Sequence, residues 1–374
     1  MNNIYLDNAA TTSLSPQTKQ YIIELLDQFY NPSSLYQDGR NTKQIIEQSR
    51  KIVANFINAD AENIFFTCSG SSANVLGIKG YVQKHDCCIL YSPIAHKSIL
   101  KCVESCNTSK YPLKVDAKGF IDANYLKELL DGIYYKPFVV VDYANSEIAT
   151  IQYVKKIIEI THKFGGTVML DCTGSISTIS LNVKSLGADI VTFSGHKLNA
   201  LKGCGVLYKK SNIELEPLVY GSQEHGLFGG TENILAIASL GKAIEQHNYS
   251  SISSEGRDYV YDYIIKNIPD SHLVGSDIGE NRLPHNLYMC FKGIEGESLM
   301  ILLDMNGIQV STGSACNNYT NVPSATLTAI GMSEEDIHSC IRLTFSGNEH
   351  FNELNYVCEK LKECIERLRL LNHQ

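Results

Sequence analysis

Short apolar segments alternate with helical segments from Ile64 to Tyr208, and this alternation restricts the fold more than any other feature of the sequence. Turn residues bound each apolar segment, at residues 64–67, 89–92, 138–142, 168–171, 190–193 and 205–208. A strand that is apolar along its whole length is typical of a parallel sheet covered by helices on both faces. The pattern therefore predicts an α/β fold with a mostly parallel sheet, and ligand binding beyond the carboxyl ends of its strands.

The pattern changes after about residue 250. Before that point, Ser15 and Pro16 form an N-cap followed by proline at the first helical position, which predicts a helix from there to about residue 30. After it, we predict strands and helices at residues 254–267, 286–291, 295–306, 341–345 and 352–370. We therefore expect a large α/β domain of residues 13–250 and a smaller α+β domain of residues 1–12 and 251–374, which carries Cys316.

Composition and charge argue against several classes of protein. Lys and Arg total 32 against 40 Asp and Glu, so the net charge of −8 disfavours broad binding to nucleic acid or to anionic membranes. We expect no secretory signal, and no apolar run approaches the ~18 residues that a membrane-spanning helix needs. The 12 cysteines are scattered without CxxC spacing, which predicts reduced thiols, a cytoplasmic location and no metal site.

Two candidate catalytic residues stand at predicted strand ends. Asp171 ends the segment 168–171, and Lys197 lies just past the segment 190–193. Because the carboxyl ends of parallel strands share one edge of the sheet, both side chains would project into the same crevice. A lysine there can form a Schiff base, and an aspartate can pair with a protonated pyridine nitrogen, as pyridoxal-phosphate chemistry requires. Taken singly, an N-cap aspartate and a surface lysine are the commoner explanations.

Three segments offer groups that bind phosphate. Residues 69–72, which include Ser71, follow a predicted strand and open a helix, so their amides and hydroxyls face an anion at a helix N-terminus. Ser194 and His196 lie beside the candidate lysine, and Thr231 follows two glycines where another helix is predicted to open. Segments of glycine and serine are also common as plain turns and caps.

Three further side chains are candidates for binding or catalysis. Cys316 lies in the polar segment 311–318, where an accessible thiolate can act as a nucleophile, and a buried structural thiol or an incidental exposed one fits about equally well. Arg342 begins a predicted strand and suits bidentate binding of a carboxylate, whereas a surface salt bridge is the commoner use of such an arginine. His96 follows the segment 89–92 and can stack on a flat cofactor, move protons or cap a helix.

Together these segments resemble the class V aminotransferase-like family, and within it the cysteine desulfurases of the NifS/IscS group. The resemblance runs nearly end to end, and the order and spacing of its motifs are more specific than any single motif. The motifs are Tyr5-Leu6-Asp7-Asn8-Ala9-Ala10-Thr11-Thr12, Asn31-Pro32-Ser33-Ser34-Leu35, His96-Lys97, Asn145-Ser146-Glu147-Ile148, Ser194-Gly195-His196-Lys197, Gln223-Glu224, Thr231-Glu232-Asn233, Glu295-Gly296-Glu297-Ser298-Leu299 and Gly313-Ser314-Ala315-Cys316.

The resemblance implies a homodimeric transferase of fold type I that uses pyridoxal 5'-phosphate to convert L-cysteine to L-alanine. It also implies a role for each candidate residue. The catalytic residues would be Lys197, Cys316 and His96, the cofactor-binding residues Lys197, Asp171, His96, Ser71, Ser194, His196 and, across the dimer, Thr231, and the residues for the substrate carboxylate Asn145 and Arg342. Cys316 would accept the sulfur as a persulfide and deliver it to an acceptor protein, such as an iron–sulfur scaffold.

The sequence departs from the family pattern at several of these positions. Gly174 stands where the family has a glutamine that hydrogen-bonds the cofactor's phenolic oxygen, and losing such a bond costs on the order of 1 kcal/mol. Ser71 and Ser72 replace a threonine and a glutamate, and His225 and Phe228 replace two arginines. Two alternatives to a desulfurase therefore stay open, a related lyase or aminotransferase acting on another amino acid, and a cofactor-binding scaffold with little turnover.

Overall fold

The computed structural model describes residues 3–249, 252–312 and 323–372, and these residues form three β-sheets packed against helices. The strands are β1 (Ile4–Tyr5), β2 (Ile64–Thr67), β3 (Cys87–Tyr91), β4 (Lys110–Pro112), β5 (Lys136–Asp142), β6 (Thr167–Asp171), β7 (Ile190–Ser194), β8 (Gly205–Lys209), β9 (Ser271–Leu273), β10 (Asn286–Phe291), β11 (Ile308–Gln309) and β12 (Cys340–Thr344).

The α-helices of the described residues alternate with most of these strands. They are α1 (Pro16–Leu25), α2 (Gln37–Phe56), α3 (Gly70–Lys84), α4 (Lys97–Ser105), α5 (Ala123–Asp131), α6 (Val154–Lys163), α7 (Val183–Leu186), α8 (Ile234–Gln246), α9 (Glu255–Asn267), α10 (Gly296–Met305), α11 (Ala325–Ala329), α12 (Glu334–His338) and α13 (Phe351–Asn372). None of them is both long enough and apolar enough to cross a membrane.

Seven strands form the largest sheet, in the order β2-β8-β7-β6-β5-β3-β4. Strands β4, β3, β5, β6 and β7 run parallel, and β8 is antiparallel to both β7 and β2. Along β5, Phe138 and Val140 pack into the core on one face, and Val139 and Val141 pack into the core on the other. Burial on both faces explains why these strands read as continuous apolar runs, and it confirms the predicted α/β fold.

The predicted strands of this sheet are all present, with small shifts at their ends. Strand β4 was not predicted because its three residues are exposed or half-buried and include no apolar run. Ser15 caps α1 by accepting a hydrogen bond from the Thr18 amide at 3.0 Å, as its sequence predicts. The helix ends at Leu25 rather than near residue 30, since Leu26 and Phe29 are 60% and 81% exposed and no core packing sustains a further turn.

The C-terminal region contributes all but one strand, β1, of the two smaller sheets. An antiparallel sheet has the strand order β12-β10-β9, and β1 pairs in parallel with β11. The prediction for β10 has the observed bounds, whereas β12 begins one residue earlier than predicted and places Arg342 in its middle. Strands β1, β9 and β11 were missed because two or three residues carry too little periodicity.

The first residues of the chain pack with the last ones. Leu6 lies in one hydrophobic core with Leu287 of β10 and Val357 of α13. A small domain built from both ends of the chain requires such packing. The domain boundaries at residues 12 and 250 stay a prediction.

Candidate active site

A cavity of about 510 Å³ opens at the carboxyl ends of β5, β6 and β7, within the size range of small-molecule sites. The starts of α3, α4 and α11 and the N-terminal segment around Ala9 contribute further parts of its walls. Eight of the predicted site residues line it, namely Ser71, His96, Asn145, Asp171, Ser194, His196, Lys197 and Arg342. The topology therefore brings together residues that lie as far apart in sequence as Ser71 and Arg342.

Two predicted site residues are not among those lining the cavity. Cys316 lies outside the described residues. Thr231 is exposed and precedes α8, which begins at Ile234 rather than at the Gly229–Thr231 segment as expected. The helix starts later because the Asn233 side chain caps it, accepting a hydrogen bond from the Ala236 amide at 3.2 Å.

The acidic end of the cavity is formed by Asp171, the last residue of β6, which is only 4% exposed. Its Oδ1 accepts a hydrogen bond from the Thr173 amide at 2.8 Å, and its Oδ2 accepts one from Asn74 Nδ2 at 2.8 Å. Asn74 lies on α3, and its Oδ1 in turn accepts a hydrogen bond from the Thr192 hydroxyl. These contacts fix the carboxylate with one edge toward the cavity, so it is more than a local cap.

Sequence reasoning missed Asn74, although one signal could have found it. It follows Ser71 by three residues, so both lie on the same face of α3. A polar side chain on the face that carries a candidate phosphate ligand is the pattern to look for.

Lys197 ends a short 3₁₀ turn, Gly195–Lys197, that directly follows β7. Its ammonium donates hydrogen bonds to the carbonyl oxygens of Ala9 and Ala10, the latter at 2.8 Å. The side chain is half-buried and lines the cavity, which excludes a plain surface lysine. The N-terminal segment thus directs this amine into the site.

The start of α3 and the end of β7 make a polar cradle. Ser69 caps α3, accepting a hydrogen bond from the Ser72 amide at 3.1 Å, and the first-turn amides beyond it are available to an anion. A Cβ atom at Gly70 would lie only 3.0 Å from Ser194 Cβ, so the helix start packs closely on the strand end. Ser71 and His196 line the same wall.

His196 is positioned to donate to an anion as a neutral ring. Burial, with Lys197 and Lys202 nearby, lowers the pKa of His196 to about 4. Its Nδ1 is paired with the Thr11 hydroxyl at 3.1 Å. At neutral pH this imidazole would therefore bind a phosphate through an N–H group and without a positive charge.

His96 caps α4 and also lines the cavity. Its Nδ1 accepts a hydrogen bond from the Ser98 amide at 3.2 Å, and it is paired with the Ser98 hydroxyl at 2.8 Å. Burial lowers the pKa of His96, and the nearby Asp171 carboxylate opposes that shift. The capping explanation is thus correct for one ring nitrogen, and stacking on a cofactor stays a prediction.

Asn145 and Arg342 make strong contacts of their own. Asn145 donates to the Ile94 carbonyl at 2.7 Å and accepts from two main-chain amides, so its amide is held in one orientation. Arg342 Nη2 lies 2.9 Å from Asp7 Oδ1, and its Nη1 donates to the Ser146 carbonyl at 3.2 Å. Arg342 is 4% exposed and the Asp7 side chain is 19% exposed, so this ion pair is partly buried and is not the surface salt bridge considered from the sequence.

The departures from the family pattern have structural counterparts. A Cβ atom at Gly174 would lie 2.7 Å from the Ala144 carbonyl oxygen, so the main chain has closed on the place where a glutamine would begin. Ser72 is hydrogen-bonded to Ser69 and to the Cys68 thiol. Phe228 packs against the hydrophobic core on one face of the large sheet.

Asp142 is a second acid in the cavity, and the sequence did not single it out. It faces Asp171 in the register of β5 and β6, and neither of its oxygens makes a hydrogen bond of normal geometry to another described residue. Burial, reinforced by the neighbouring Asp171 carboxylate, raises the pKa of Asp142 to about 7. The sequence alone does not show that Asp142 is buried beside Asp171, because the two residues lie on different strands.

Nearly the whole chain is similar to known proteins. Residues 4–357 match the family described as Aminotransferase class-V. The chain is 35% identical to the cysteine desulfurase IscS of Dictyoglomus turgidum, over 99% of this chain and 96% of that protein. A solved NifS-like protein from Rickettsia africae superposes with a TM-score of 0.89 at 30% identity, covering 98% of this chain and 100% of that one. A structure described as SspA in complex with cysteine has a TM-score of 0.80 at 27% identity, covering 93% and 100%.

Proposed function

This chain belongs to the class-V aminotransferase family, and from that premise we propose that it is a cysteine desulfurase. Members of the family depend on pyridoxal 5'-phosphate. The observation that carries the proposal is that a lysine amine, a buried aspartate and the N-terminus of a long helix meet in one cavity. The similarity to two relatives named as cysteine desulfurases extends over 96% and 93% of the length of those proteins, which supports the choice of substrate.

The walls of the cavity fit the parts of this cofactor. The held carboxylate of Asp171 suits a protonated ring nitrogen, and the cradle around Ser71 and Ser194 suits a phosphate. Lys197 would hold the cofactor covalently, and His96 would cover a face of its ring. When bound, pyridoxal 5'-phosphate supplies an electron sink for bonds at the substrate Cα.

Other side chains of the cavity would bind the substrate and transfer protons. Arg342 would bind the substrate carboxylate with its guanidinium, and Asn145 would adjoin it, which orients the amino acid. The Lys197 amine, once free, would remove the proton from the substrate Cα and return a proton later. Asp171 would hold the proton on the ring nitrogen throughout, because its two hydrogen bonds keep the carboxylate in place.

The sulfur step uses Cys316, whose assignment rests on the sequence motif. Its thiolate would attack the sulfur of the bound cysteine, so that a sulfur–sulfur bond forms as the carbon–sulfur bond breaks. The electrons of the broken bond stay on the substrate carbon, which is protonated to give alanine. Cysteine and a thiol thereby become alanine and a persulfide, with no oxidant needed.

We propose further that two copies of the chain form the working enzyme. Phe29, Leu35 and Tyr220 are 81%, 86% and 77% exposed, so each offers apolar surface that a partner chain could cover. The segment of Tyr220 is tied to that of Thr231 by a hydrogen bond from the Gly229 amide to the Val219 carbonyl at 2.8 Å. A dimer would cover these side chains and bring Thr231 to the partner's phosphate site. Light scattering of the wild type and of Tyr220→Asp tests it, and a monomeric wild type would refute it.

The sulfur would pass to an acceptor protein, and an iron–sulfur scaffold is our first choice because the relatives carry the IscS name. We place the enzyme in the cytoplasm. The cysteines of the described residues are all free thiols, which supports a reducing compartment.

The decisive experiment follows alanine and sulfide after L-cysteine is added with a reductant. We expect both products from the wild type and none from Lys197→Ala, and we expect Cys316→Ser to lose sulfur transfer. Cys68→Ser is the matched control, since Cys68 is the one exposed thiol among the described cysteines. Faster turnover of another amino acid would favour the lyase or aminotransferase alternative. Cofactor binding without any turnover would favour the scaffold.

A further inference from the structure

Three side chains of types that can ligate a metal stand in a row across the small antiparallel sheet. Cys290 of the central strand β10 faces His272 of β9 on one side and Cys340 of β12 on the other. Residues that face each other on neighbouring strands project from the same side of a sheet. An imidazole and two thiols are therefore gathered by strand register, although they are far apart in sequence.

A fourth donor comes from the helix above this row. Asp336 of α12 places its Oδ1 3.8 Å from Cys290 Sγ, and its main-chain carbonyl accepts from the thiols of Cys290 and Cys340 at 3.5 and 3.1 Å. The ligand atoms of His272, Cys290 and Asp336 all lie within 4.8 Å of one another. Bond lengths of about 2.0–2.3 Å around a tetrahedral zinc ion separate its ligands by about 3.3–3.8 Å, so small side-chain movements would bring these three atoms to binding distance. Cys340 Sγ adjoins them through its hydrogen bond to the Asp336 carbonyl.

We propose that His272, Cys290, Asp336 and Cys340 form a binding site for a zinc ion. Two sulfur ligands with one nitrogen and one oxygen suit this borderline cation better than magnesium or calcium, which require oxygen ligands. None of the four residues lines the active-site cavity, so the site does not rest on the proposed desulfurase function. A bound ion would link α12 to the sheet, because Asp336 lies on the helix and the other three ligands lie on the strands.

Exposure and charge are compatible with entry of the ion from one side. His272 and Asp336 are both partly accessible to solvent, whereas both thiols are buried, so the imidazole and the carboxylate stand at the entrance. Lys292 Nζ lies 4.0 Å from Asp336 Oδ1. A zinc ion and this ammonium would together balance two thiolates and one carboxylate.

The test uses reduced holoenzyme carrying Cys316→Ser, which removes the catalytic thiol as a competing ligand. Zinc is added, excess is removed by gel filtration, and the retained metal is measured by atomic emission. Competition with a chromophoric chelator then gives the affinity. We expect one zinc ion per chain, and at least about tenfold weaker binding for His272→Ala and for Asp336→Asn. His338→Ala is the matched control, since His338 is an exposed histidine on the same helix, and it should bind as the parent does.

Two results would overturn the site. One is a parent protein that retains no zinc, and the other is zinc retained with equal affinity by the His272→Ala and Asp336→Asn double variant. Both substitutions lie at exposed or half-buried positions, so the answer does not depend on folding of variants at the buried cysteines. Zinc should also raise the melting temperature of the parent and leave that of the double variant unchanged. Alanine formation from cysteine, measured on the same variants with Cys316 restored, reports separately on the proposed function.

Discussion

Asp142 and Asp171 occupy facing positions on neighbouring parallel strands, and both carboxyl groups line one cavity. Asp171 accepts two hydrogen bonds, whereas the oxygens of Asp142 have none of normal geometry within the described chain. Because their environments differ, the two acids have different roles. Asp171 is held as a partner for a ring nitrogen, and Asp142 is a group whose charge depends on pH.

The Asp142→Asn variant should gain stability over the wild type as pH rises. The folded pKa of Asp142, about 7, exceeds the unfolded value, so folding favours the protonated form. The stability it contributes is full below the unfolded pKa of about 3.9 and is lost as pH rises toward 7. We expect a gain on the order of 2–4 kcal/mol at pH 8 relative to pH 4, from urea midpoints. Exposed Asp131→Asn is the control, and equal gains at both pH values would contradict the assignment.

Replacing Arg50 by alanine should destabilise the protein strongly. Arg50 makes two hydrogen bonds to the Glu224 carboxylate, at 2.7 and 2.8 Å, and both side chains are buried. Removing one partner leaves a buried charge unpaired, which typically costs about 3–5 kcal/mol. Lys184→Ala, which breaks an exposed pair with Asp60 of similar length, should cost less than about 1 kcal/mol. Chemical denaturation of both variants tests the comparison, and similar losses would show that the Arg50 pair is not special.

Restoring the family's glutamine at Gly174 should harm this protein. The first side-chain carbon would meet the Ala144 carbonyl oxygen at 2.7 Å, which is backbone and cannot rotate away. We expect Gly174→Gln to lose about 1–3 kcal/mol of stability and to bind the cofactor more weakly. Gly132→Ala is a fair control, because a Cβ there meets its nearest neighbour at an ordinary 3.7 Å. Tighter cofactor binding by Gly174→Gln would mean that the main chain at 144–146 moves aside readily.

Asn74→Ala should weaken cofactor binding without removing any group that we assign to catalysis. Its amide donates to Asp171 at 2.8 Å, and without it the carboxylate loses one of its two fixed contacts. Loss of a hydrogen bond to a charged group costs about 1.5–3 kcal/mol, so the cofactor Kd should rise at least about tenfold. Spectroscopic titration of the cofactor-free protein measures it, with exposed Asn124→Ala as the control. An unchanged Kd would show that Thr173 alone fixes Asp171.

The sequence predicted six of the seven strands of the large sheet because these six are apolar on both faces. It also predicted the residues around the cavity, such as Asp171 and Lys197, because strand ends in a parallel sheet converge. It could not predict the helix end at Leu25, which depends on which side chains find a core to pack against. Strand β4 escaped because an edge strand need not be apolar.

The sequence could not predict contacts between distant elements for a different reason. The environment of Asp142 is set by a neighbouring strand, and the row from His272 to Cys340 is set by the register of β9, β10 and β12. The absence of CxxC spacing argued against zinc, yet register can gather ligands that spacing does not. Pairwise register is the information that a single sequence lacks.

The pairing of β1 with β11 has a consequence for how the chain is made. Strand β1 is synthesised some 300 residues before its partner β11, and Asp7 is synthesised still further ahead of its partner Arg342. The large sheet can fold from nearby segments during synthesis, but the N-terminal segment that receives Lys197 cannot settle until residues 308–344 emerge. Cofactor capture should therefore follow release of nearly the whole chain, and a ribosome stalled before β12 would hold a folded large sheet with an unfinished site.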